Sequence, residues 1–354
     1  MIPTQVFAES IVQFLGPVAG YLADPEVSEV MINGPQQVYV ERAGRLELTT
    51  ASFASEEAVM AALRNIGQAC GKLVDLYNPI LEATLPDGSR VQGVLRPLAT
   101  SGPYVAIRRF FQSRLTPQNL VKSGSLSALA AQTLHAMVEG KLNLMIAGGT
   151  GTGKTSLLNL FTSWVPESER IGVLEDSKEV QVQRPHVFQM EARQADDAAG
   201  IERVTIRELF RASLRMRPDR LIIGEIRGAE ALDIVQAMVS GHGGCMGTLH
   251  ASAPDQALMR LETMAMMSDV QMPLSALRFQ IGAGIDAIVQ VSRERDGRRV
   301  VTHVSEVAGY DGKHDSYQVR PIFQRKYGPN GEASRLLPTG LRPRFAERML
   351  EQGA

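Results

Sequence analysis

The chain has 354 residues, of which 44% are hydrophobic and 21% are charged, and its formal net charge at pH 7 is −1. This composition excludes an intrinsically disordered chain, and the near-zero charge disfavours general binding to nucleic acid. The length is sufficient for two domains with separate cores. Two cysteines, Cys70 and Cys245, provide no disulfide framework and indicate a reducing compartment. No apolar run is long enough to span a membrane and the N-terminus lacks the basic start of a signal peptide, so we expect a cytoplasmic protein.

Residues 1–112 are predicted to form a small α+β domain. Two strand pairs are expected, one turning at Ala43-Gly44 and one at Asp87-Gly88, because short glycine turns between extended runs indicate hairpins. Between them a helix is expected to begin after Ser55, whose hydroxyl is a good N-cap, and to end near Gly71.

Residues 113–126 are polar and contain Pro117 and Gly124, which predicts a linker. From 127 to 354 apolar strands alternate with helices, and this predicts an α/β domain with a mostly parallel sheet and helices on both faces. The expected strands are "LNLMIAG", "RIGVLED" and "DRLIIGE", and the expected helices are "KTSLLNLFTSWV" and "TIRELFRASLRM". A polar stretch at 183–200 is interpreted as a loop. A hairpin turning at Asp296-Gly297 and a closing helix are expected nearer the C-terminus.

The segment "GGTGTGKT" matches the phosphate-loop pattern G-x-x-x-x-G-K-[ST], after an apolar strand and at the start of a helix. Its glycines allow backbone N–H groups to close around the phosphates of a nucleotide, Lys154 adds a positive charge, and the Thr155 hydroxyl can bind Mg²⁺. The predicted nucleotide-binding residues here are Gly148, Gly149, Thr150, Gly151, Thr152, Gly153, Lys154 and Thr155.

Two acidic positions follow predicted strands. Glu225 ends the apolar run "RPDRLIIGE", and "VLEDSKEV" carries Glu175, Asp176 and Glu179. Open α/β sheets bind ligands at the carboxyl edge of their strands, where a carboxylate can hold the Mg²⁺ shell or polarise the attacking water. The alternative is an ordinary solvated acidic edge.

The stretch "SGHGGCMGTLHA", residues 240–251, has the residue types of a metal site but lacks the spacing of one, and a zinc site would need two further ligands. A better interpretation is a strand with His250 at its end, beside the phosphate loop and Glu225, able to donate to the γ-phosphate or its water. A packed histidine at a strand end remains the alternative.

Four blocks in this order resemble the motifs of the RecA-like ATPases of type II secretion, type IV pili and type IV secretion. The segments are similar, in turn, to a Walker A box, an aspartate box, a Walker B box and a histidine box: "GGTGTGKT", "VLEDSKEV", "LIIGEIRGAEA" and "GHGGCMGTLHA". Flanking segments such as "MINGPQQVYVERAGRLEL" and "TGLRPRFAERMLEQG" resemble the CpaF-like subfamily of tight-adherence (Flp) pilus ATPases. The resemblance covers nearly the whole chain and implies a RecA-like P-loop ATPase domain after a smaller, PAS-like α+β N-terminal domain.

The resemblance also implies roles for individual residues. Glu175 matches the aspartate-box glutamate and Glu225 the Walker B glutamate; one of them activates water, and we favour Glu225 in the metal shell with Glu175 nearer the water. Arg207 and Arg215, placed on one helix, match basic positions that precede the Walker B box, and we expect both to be catalytic residues.

His242 and His250 match the histidine box, with His250 the better candidate for contact with the γ-phosphate. In the family, nucleotide lies between a subunit's own two domains. Arg90, Arg108 and Arg109 of the N-terminal domain are therefore candidates to reach the phosphates, with solvated strand charges as the alternative.

The function implied is a homohexameric motor that hydrolyses ATP with Mg²⁺ to power assembly of a type IV/Flp pilus, with retraction left open. Its expected partner is an inner-membrane platform protein, at the cytoplasmic face of the inner membrane, with no direct contact to nucleic acid. One alternative is a type IV secretion ATPase driving protein or DNA export, which would share the fold and site. A nucleotide-gated scaffold without turnover is disfavoured by the acidic residues and His250. A helicase-like motor is disfavoured by the charge and the 5% aromatic content.

Overall fold

A computed structural model describes six stretches of the chain: residues 14–42, 44–85, 87–110, 115–195, 200–328 and 334–351. The chain divides into two compact units, Met1–Gln112 and Ser113–Ala354. Ala43 of the first predicted turn and residues 111–114 near the predicted domain boundary lie outside the described residues.

The N-terminal unit is built on a six-stranded sheet with the strand order β3-β2-β1-β6-β5-β4. Neighbouring strands are antiparallel throughout. Its elements are helix α1 (Gly16–Ala23), strands β1 (Val27–Asn33), β2 (Val38–Arg42) and β3 (Arg45–Leu48), helix α2 (Glu56–Ala69), and strands β4 (Ile80–Thr84), β5 (Arg90–Val94) and β6 (Tyr104–Arg108).

The sequence features that predicted a helix in this unit have the expected contacts in the structure. The Ser55 side chain accepts a hydrogen bond from the backbone N–H of Ala58, and this N-cap starts α2. Val59, Leu63 and Ile66 follow at spacings of three and four residues and are buried on one face of the helix, in the core of the unit. The predicted helix and both predicted hairpins are confirmed.

The C-terminal unit contains a nine-stranded sheet with the order β15-β14-β13-β12-β7-β11-β10-β8-β9. Its strands are β7 (Leu144–Gly148), β8 (Ile171–Glu175), β9 (Val187–Glu191), β10 (Arg220–Ile223), β11 (Met246–Leu249), β12 (Ala287–Arg293), β13 (Arg299–Asp311), β14 (Ser316–Lys326) and β15 (Arg335–Pro338). Its α-helices are α3 (Pro117–Lys122), α4 (Ala128–Glu139), α5 (Lys154–Thr162), α6 (Ile206–Ser213), α7 (Glu230–Val239), α8 (Pro254–Ala265), α9 (Leu274–Gly284) and α10 (Phe345–Glu351).

Strands β12, β7, β11, β10, β8 and β9 are parallel, and β13 to β15 continue the sheet antiparallel. Strand β7 shows why its sequence is apolar without alternation: Leu144 and Ile146 join one core cluster, while Met145 and Ala147 join the cluster on the opposite face. Both faces are covered, as a parallel sheet requires. The predicted α/β class with a mostly parallel sheet is confirmed.

Three local expectations need correction or refinement. The predicted linker contains helix α3, which Thr116 caps by accepting from the N–H of Asn119. The stretch interpreted as a loop contains the edge strand β9, which its polar composition concealed. Helix α6 ends at Ser213, so Arg215 belongs to a separate 3₁₀ turn, Leu214–Met216, and not to the helix of Arg207. Within the described residues, no helix has the length and apolar character needed to cross a membrane.

Candidate nucleotide-binding and catalytic site

The order of the strands brings the predicted site residues together at the carboxyl ends of four neighbouring parallel strands. Strand β11 lies between β7 and β10, and β8 lies beyond β10. All four strands run in the same direction, so the residues at their carboxyl ends meet at one edge of the sheet. Gly148 ends β7, His250 follows β11, Glu225 follows β10, and Glu175 ends β8.

The phosphate loop has the backbone that its glycines predict. Gly151 has a φ of 69° and Gly153 a φ of 91°, in the left-handed region that glycine adopts without strain. Gly153 directly precedes α5, whose first residue is Lys154. The Lys154 ammonium donates to the carbonyl oxygens of Gly148 at 3.1 Å and Gly149 at 2.9 Å. A positive charge is therefore fixed at the loop and helix N-terminus, where phosphate binds in this motif.

Thr155 contacts a carboxylate that the residue-by-residue predictions did not select. Its hydroxyl donates to Oε2 of Glu179 at 3.1 Å. Glu175, the predicted aspartate-box residue, is only 4% exposed, and its Oε1 accepts from the backbone N–H groups of Glu179 and Val180 at 2.9 and 2.8 Å. Glu175 thus folds the segment after β8 and presents Glu179 to Thr155. The acidic run "EDSKE" contained the signal for Glu179. The spacing of its carboxylates, however, could not show which of them contacts Thr155.

His250 lies between the phosphate loop and Glu225. Its Nδ1 is 3.5 Å from the Lys154 ammonium, and its Nε2 is 2.8 Å from Oε1 of Glu225. An ammonium can only donate, so Nδ1 is the acceptor and the neutral ring carries its proton on Nε2. Burial, followed by the charge of Lys154, lowers the pKa of His250 and outweighs the opposite effect of Glu225. The lowered pKa favours the neutral form of the ring at pH 7.

Oε1 of Glu225 is buried and, among the described residues, receives no hydrogen bond of good geometry. The short approach from His250 is a close contact rather than a well-directed hydrogen bond. A buried carboxylate oxygen in this position has the chemistry to accept a proton or a hydrogen bond from water.

Arg227 was not predicted and links both acidic segments. Its Nη2 donates to Oε2 of Glu225 at 2.6 Å, and its Nη1 lies 4.0 Å from Oδ2 of Asp176. The Glu230 carboxylate accepts from the backbone N–H groups of Arg227 and Gly228, which fixes the loop that carries the guanidinium. Burial raises the pKa of Asp176, and Arg227 opposes that effect. Arg227 lies within the segment "LIIGEIRGAEA" that resembles a Walker B box, but the sequence analysis gave this arginine no role.

The two predicted basic residues before β10 are not brought together. Arg207 pairs with Asp233 of α7 at 2.6 Å and with Asp269 beyond α8. Arg211 also pairs with Asp233, at 3.0 Å. These contacts join α6 to its neighbouring helices, while Arg215 is exposed on its 3₁₀ turn.

The two predicted histidines lie at opposite ends of β11. His242 precedes the strand, near the segment that leads into β7: the next glycine, Gly243, has the carbonyl of Lys141 3.3 Å from the position of an added Cβ. Cys245, just before β11, donates its backbone N–H to the side chain of Asn143. The structure therefore places His250, and not His242, beside the phosphate loop of the same chain.

The three predicted arginines of the N-terminal unit lie on or next to its central strands. Arg90 of β5 is the register partner of Arg108 of β6. Arg109 donates from Nη1 to the carbonyl of Val27 at 3.0 Å and to that of Asp24. Arg109 thus stabilises the entry to β1, whereas Arg108 is exposed.

A phosphate loop that leads from a central parallel strand into a helix, with a carboxylate and a histidine following neighbouring strands, defines a RecA-like nucleotide-binding protein. Residues 13–316 match the model of the family described as "Type II/IV secretion system protein". The chain belongs to this family of secretion ATPases.

Relatives of similar length carry secretion and transfer names. A putative conjugal transfer protein of Mycobacterium tuberculosis is 32% identical over 315 residues, covering 87% of this chain and 88% of the relative. The conjugal transfer protein TrbB of Rhizobium radiobacter is 31% identical, with 86% and 90% covered. The type IV secretion system protein PtlH of Bordetella pertussis is 30% identical, with 82% and 93% covered.

Solved structures support the fold. The pilus retraction motor PilT with bound ADP superposes with a TM-score of 0.57 at 15% identity, covering 97% of this chain and 86% of that one. The ATPase DotB of Legionella pneumophila gives a TM-score of 0.56 at 17% identity, covering 87% and 82%.

Proposed function

We propose that this protein is a motor that binds ATP with Mg²⁺ and hydrolyses it to drive a secretion or pilus machine. The observation that carries the proposal is the meeting of Lys154, Thr155, Glu225 and His250 at one sheet edge, with Glu179 hydrogen-bonded to Thr155. Membership of the secretion ATPase family supports hydrolysis in general terms.

The residues fit a nucleotide and its metal. The left-handed glycines of the loop expose backbone N–H groups, Lys154 supplies the positive charge, and the Thr155 hydroxyl beside Glu179 provides oxygen ligands of the kind Mg²⁺ prefers. Bound Mg²⁺ would neutralise charge on the phosphates.

The remaining residues suit the handling of water and phosphate. The buried Oε1 of Glu225 is suited to orient water and to hold its proton. Neutral His250 can donate from Nε2 to the γ-phosphate or to that water. In this proposal Glu179, beside Thr155, takes the place in the metal shell that the sequence analysis gave to Glu225. Glu225 takes the role at the water that the sequence analysis gave to Glu175.

The active form in this proposal is a homohexameric ring. Arg90 and Arg108 are candidates to reach the phosphates when the domains close, which would make hydrolysis depend on movement. Arg109 is a weaker candidate because its guanidinium holds the carbonyls of Asp24 and Val27.

Two machines are candidates. The segments around the motifs favour Flp pilus assembly through an inner-membrane platform protein at the cytoplasmic face. The names of the relatives, TrbB and PtlH among them, favour conjugal transfer or type IV secretion equally well. Both machines would use the same site, so deletion of the gene followed by assays for pili and for protein or DNA transfer decides between them.

The first test of the proposal is the rate of ATP hydrolysis as a function of protein concentration, with Lys154→Ala alongside. We expect specific activity to rise with concentration as rings form, and the variant to lose about a hundredfold or more. A wild-type rate equal to that of the variant at every concentration, with tight ATP binding retained, would instead support a nucleotide-gated scaffold.

A further inference from the structure

A hairpin outside the four motif blocks reaches the phosphate loop. Strand β12 lies beside β7 on the side away from β11, with Val291 opposite Gly148. Strand β12 ends at Arg293, and its antiparallel partner β13 begins at Arg299, which is the register partner of Arg293. The turn of the hairpin therefore lies at the carboxyl ends of the parallel strands, on the same side of the sheet as the phosphate loop.

Arg299 contacts that loop directly. Its Nε donates to the carbonyl oxygen of Gly151 at 3.0 Å. Its Cδ lies 3.3 Å from the position that a Cβ on Gly153 would occupy, so the side chain lies along the loop. The residue is exposed. A guanidinium is thus beside the backbone that encloses phosphate in this motif.

The backbone of Arg299 is fixed from the other side. The Ser125 hydroxyl donates to the carbonyl of Arg299 at 2.6 Å, and the Val301 N–H donates to the carbonyl of Ser125 at 3.1 Å. The guanidinium of Arg325, 4% exposed, donates to the carbonyls of Ser125 and Val301 at 2.8 and 2.9 Å. Because the backbone at the start of β13 is fixed in this way, binding of an anion by the Arg299 side chain costs little backbone entropy.

We propose that Arg299 is a nucleotide-binding residue that contacts the α- and β-phosphates. This proposal rests on the proposed ATP binding. It also states on which side of β7 each phosphate lies. His250 and Glu225 follow β11 and β10 on one side of β7, where the γ-phosphate and its water are expected. Arg299 begins β13, which lies beyond β12 on the other side of β7. A guanidinium binds phosphate oxygens with paired, charge-assisted hydrogen bonds, which makes arginine suited to this contact.

The test is nucleotide affinity of the full chain, measured by titration with ADP and with ATP for the wild type, Arg299→Ala and Arg299→Lys. Arg298→Ala is the matched control, because Arg298 is the adjacent exposed arginine and pairs within its own turn, with Asp296 at 2.6 Å and Glu294 at 2.8 Å. We expect Arg299→Ala to weaken ADP and ATP binding alike by about tenfold, Arg299→Lys to recover part of the loss, and Arg298→Ala to stay within about twofold. In steady-state hydrolysis KM should rise by about the same factor while kcat stays within about threefold.

Thermal unfolding of the nucleotide-free variants shows whether Arg299→Ala is folded, and Arg299→Lys replaces it in the comparison if it is not. Unchanged ADP affinity in the folded variant, alongside a wild type that binds ADP, would overturn the role of Arg299 and leave the proposed function intact. A loss confined to ATP would overturn the assignment to the α- and β-phosphates. Failure of the wild type to bind either nucleotide would instead overturn the proposed function itself.

Discussion

The Thr155 hydroxyl donates a 3.1 Å hydrogen bond to Oε2 of Glu179, and this contact joins the first turn of α5 to the segment after β8. It separates the roles of two carboxylates only four residues apart. Glu179 is partly exposed at the site, whereas Glu175 is buried and accepts two backbone hydrogen bonds. We therefore propose that Glu179 takes part in the chemistry, whereas Glu175 stabilises the fold of the segment after β8.

Alanine at these two positions should separate activity from stability. We expect Glu179→Ala to lower kcat by about a hundredfold while the free energy of unfolding changes by less than about 1 kcal/mol. Glu175→Ala should lower the free energy of unfolding by about 2–4 kcal/mol, because it leaves buried N–H groups without an acceptor. Urea unfolding and single-turnover hydrolysis measure the two effects. A fully stable but inactive Glu175→Ala would return the catalytic role to Glu175.

Arg227 should act by positioning Glu225. Because its guanidinium holds Oε2 of Glu225 at 2.6 Å, we expect Arg227→Ala to lower kcat by about tenfold with KM within about threefold, and Arg227→Lys to recover part of the rate. Arg298→Ala, an exposed arginine with a local ion pair, is the control. Equal activity of Arg227→Ala and the wild type would show that Glu225 keeps its position unaided.

Arg207 should stabilise the helices rather than take part in hydrolysis. Its contact with Asp233 is largely shielded, with side-chain exposures of 17% and 14%. We expect a coupling of about 1 kcal/mol in a double-mutant cycle of Arg207→Ala and Asp233→Ala, measured by urea unfolding. The folded fraction of Arg207→Ala should hydrolyse ATP within about threefold of the wild-type rate. A tenfold or greater loss of kcat in fully folded protein would support the catalytic role suggested by the sequence.

The two cysteines should differ in reactivity. Burial raises the pKa of Cys245 to about 12, and this thiol is 1% exposed. It therefore remains protonated at pH 8 and at pH 9, and alkylation needs the thiolate. We expect iodoacetamide to modify Cys70, which is partly exposed, well before Cys245, and to reach Cys245 only in denaturant. Peptide mass spectrometry gives the order, with Cys70→Ser as control; rapid native labelling of Cys245 would contradict it.

The sequence by itself determined the phosphate loop and many of the helices and strands, although it missed α3 and β9. Apolar runs without alternation predicted buried parallel strands, Ser55 marked the start of α2, and the glycines and Lys154 of "GGTGTGKT" identified the loop between β7 and α5. These signals are local: each depends on a few consecutive residues and on the backbone they favour.

The sequence predicted His250 beside the phosphate loop and Glu225, but only the tertiary structure decided between the other candidate side chains. Strand order puts β11 between β7 and β10, so His250 reaches Lys154 and Glu225 while His242 lies at the other end of the strand. The selection of Glu179 over Glu175 and the reach of Arg299 to Gly151 likewise depend on how loops fold after each strand. Such contacts join residues far apart in sequence. They form because the packed sheet brings the residues together, so no short sequence pattern predicts them.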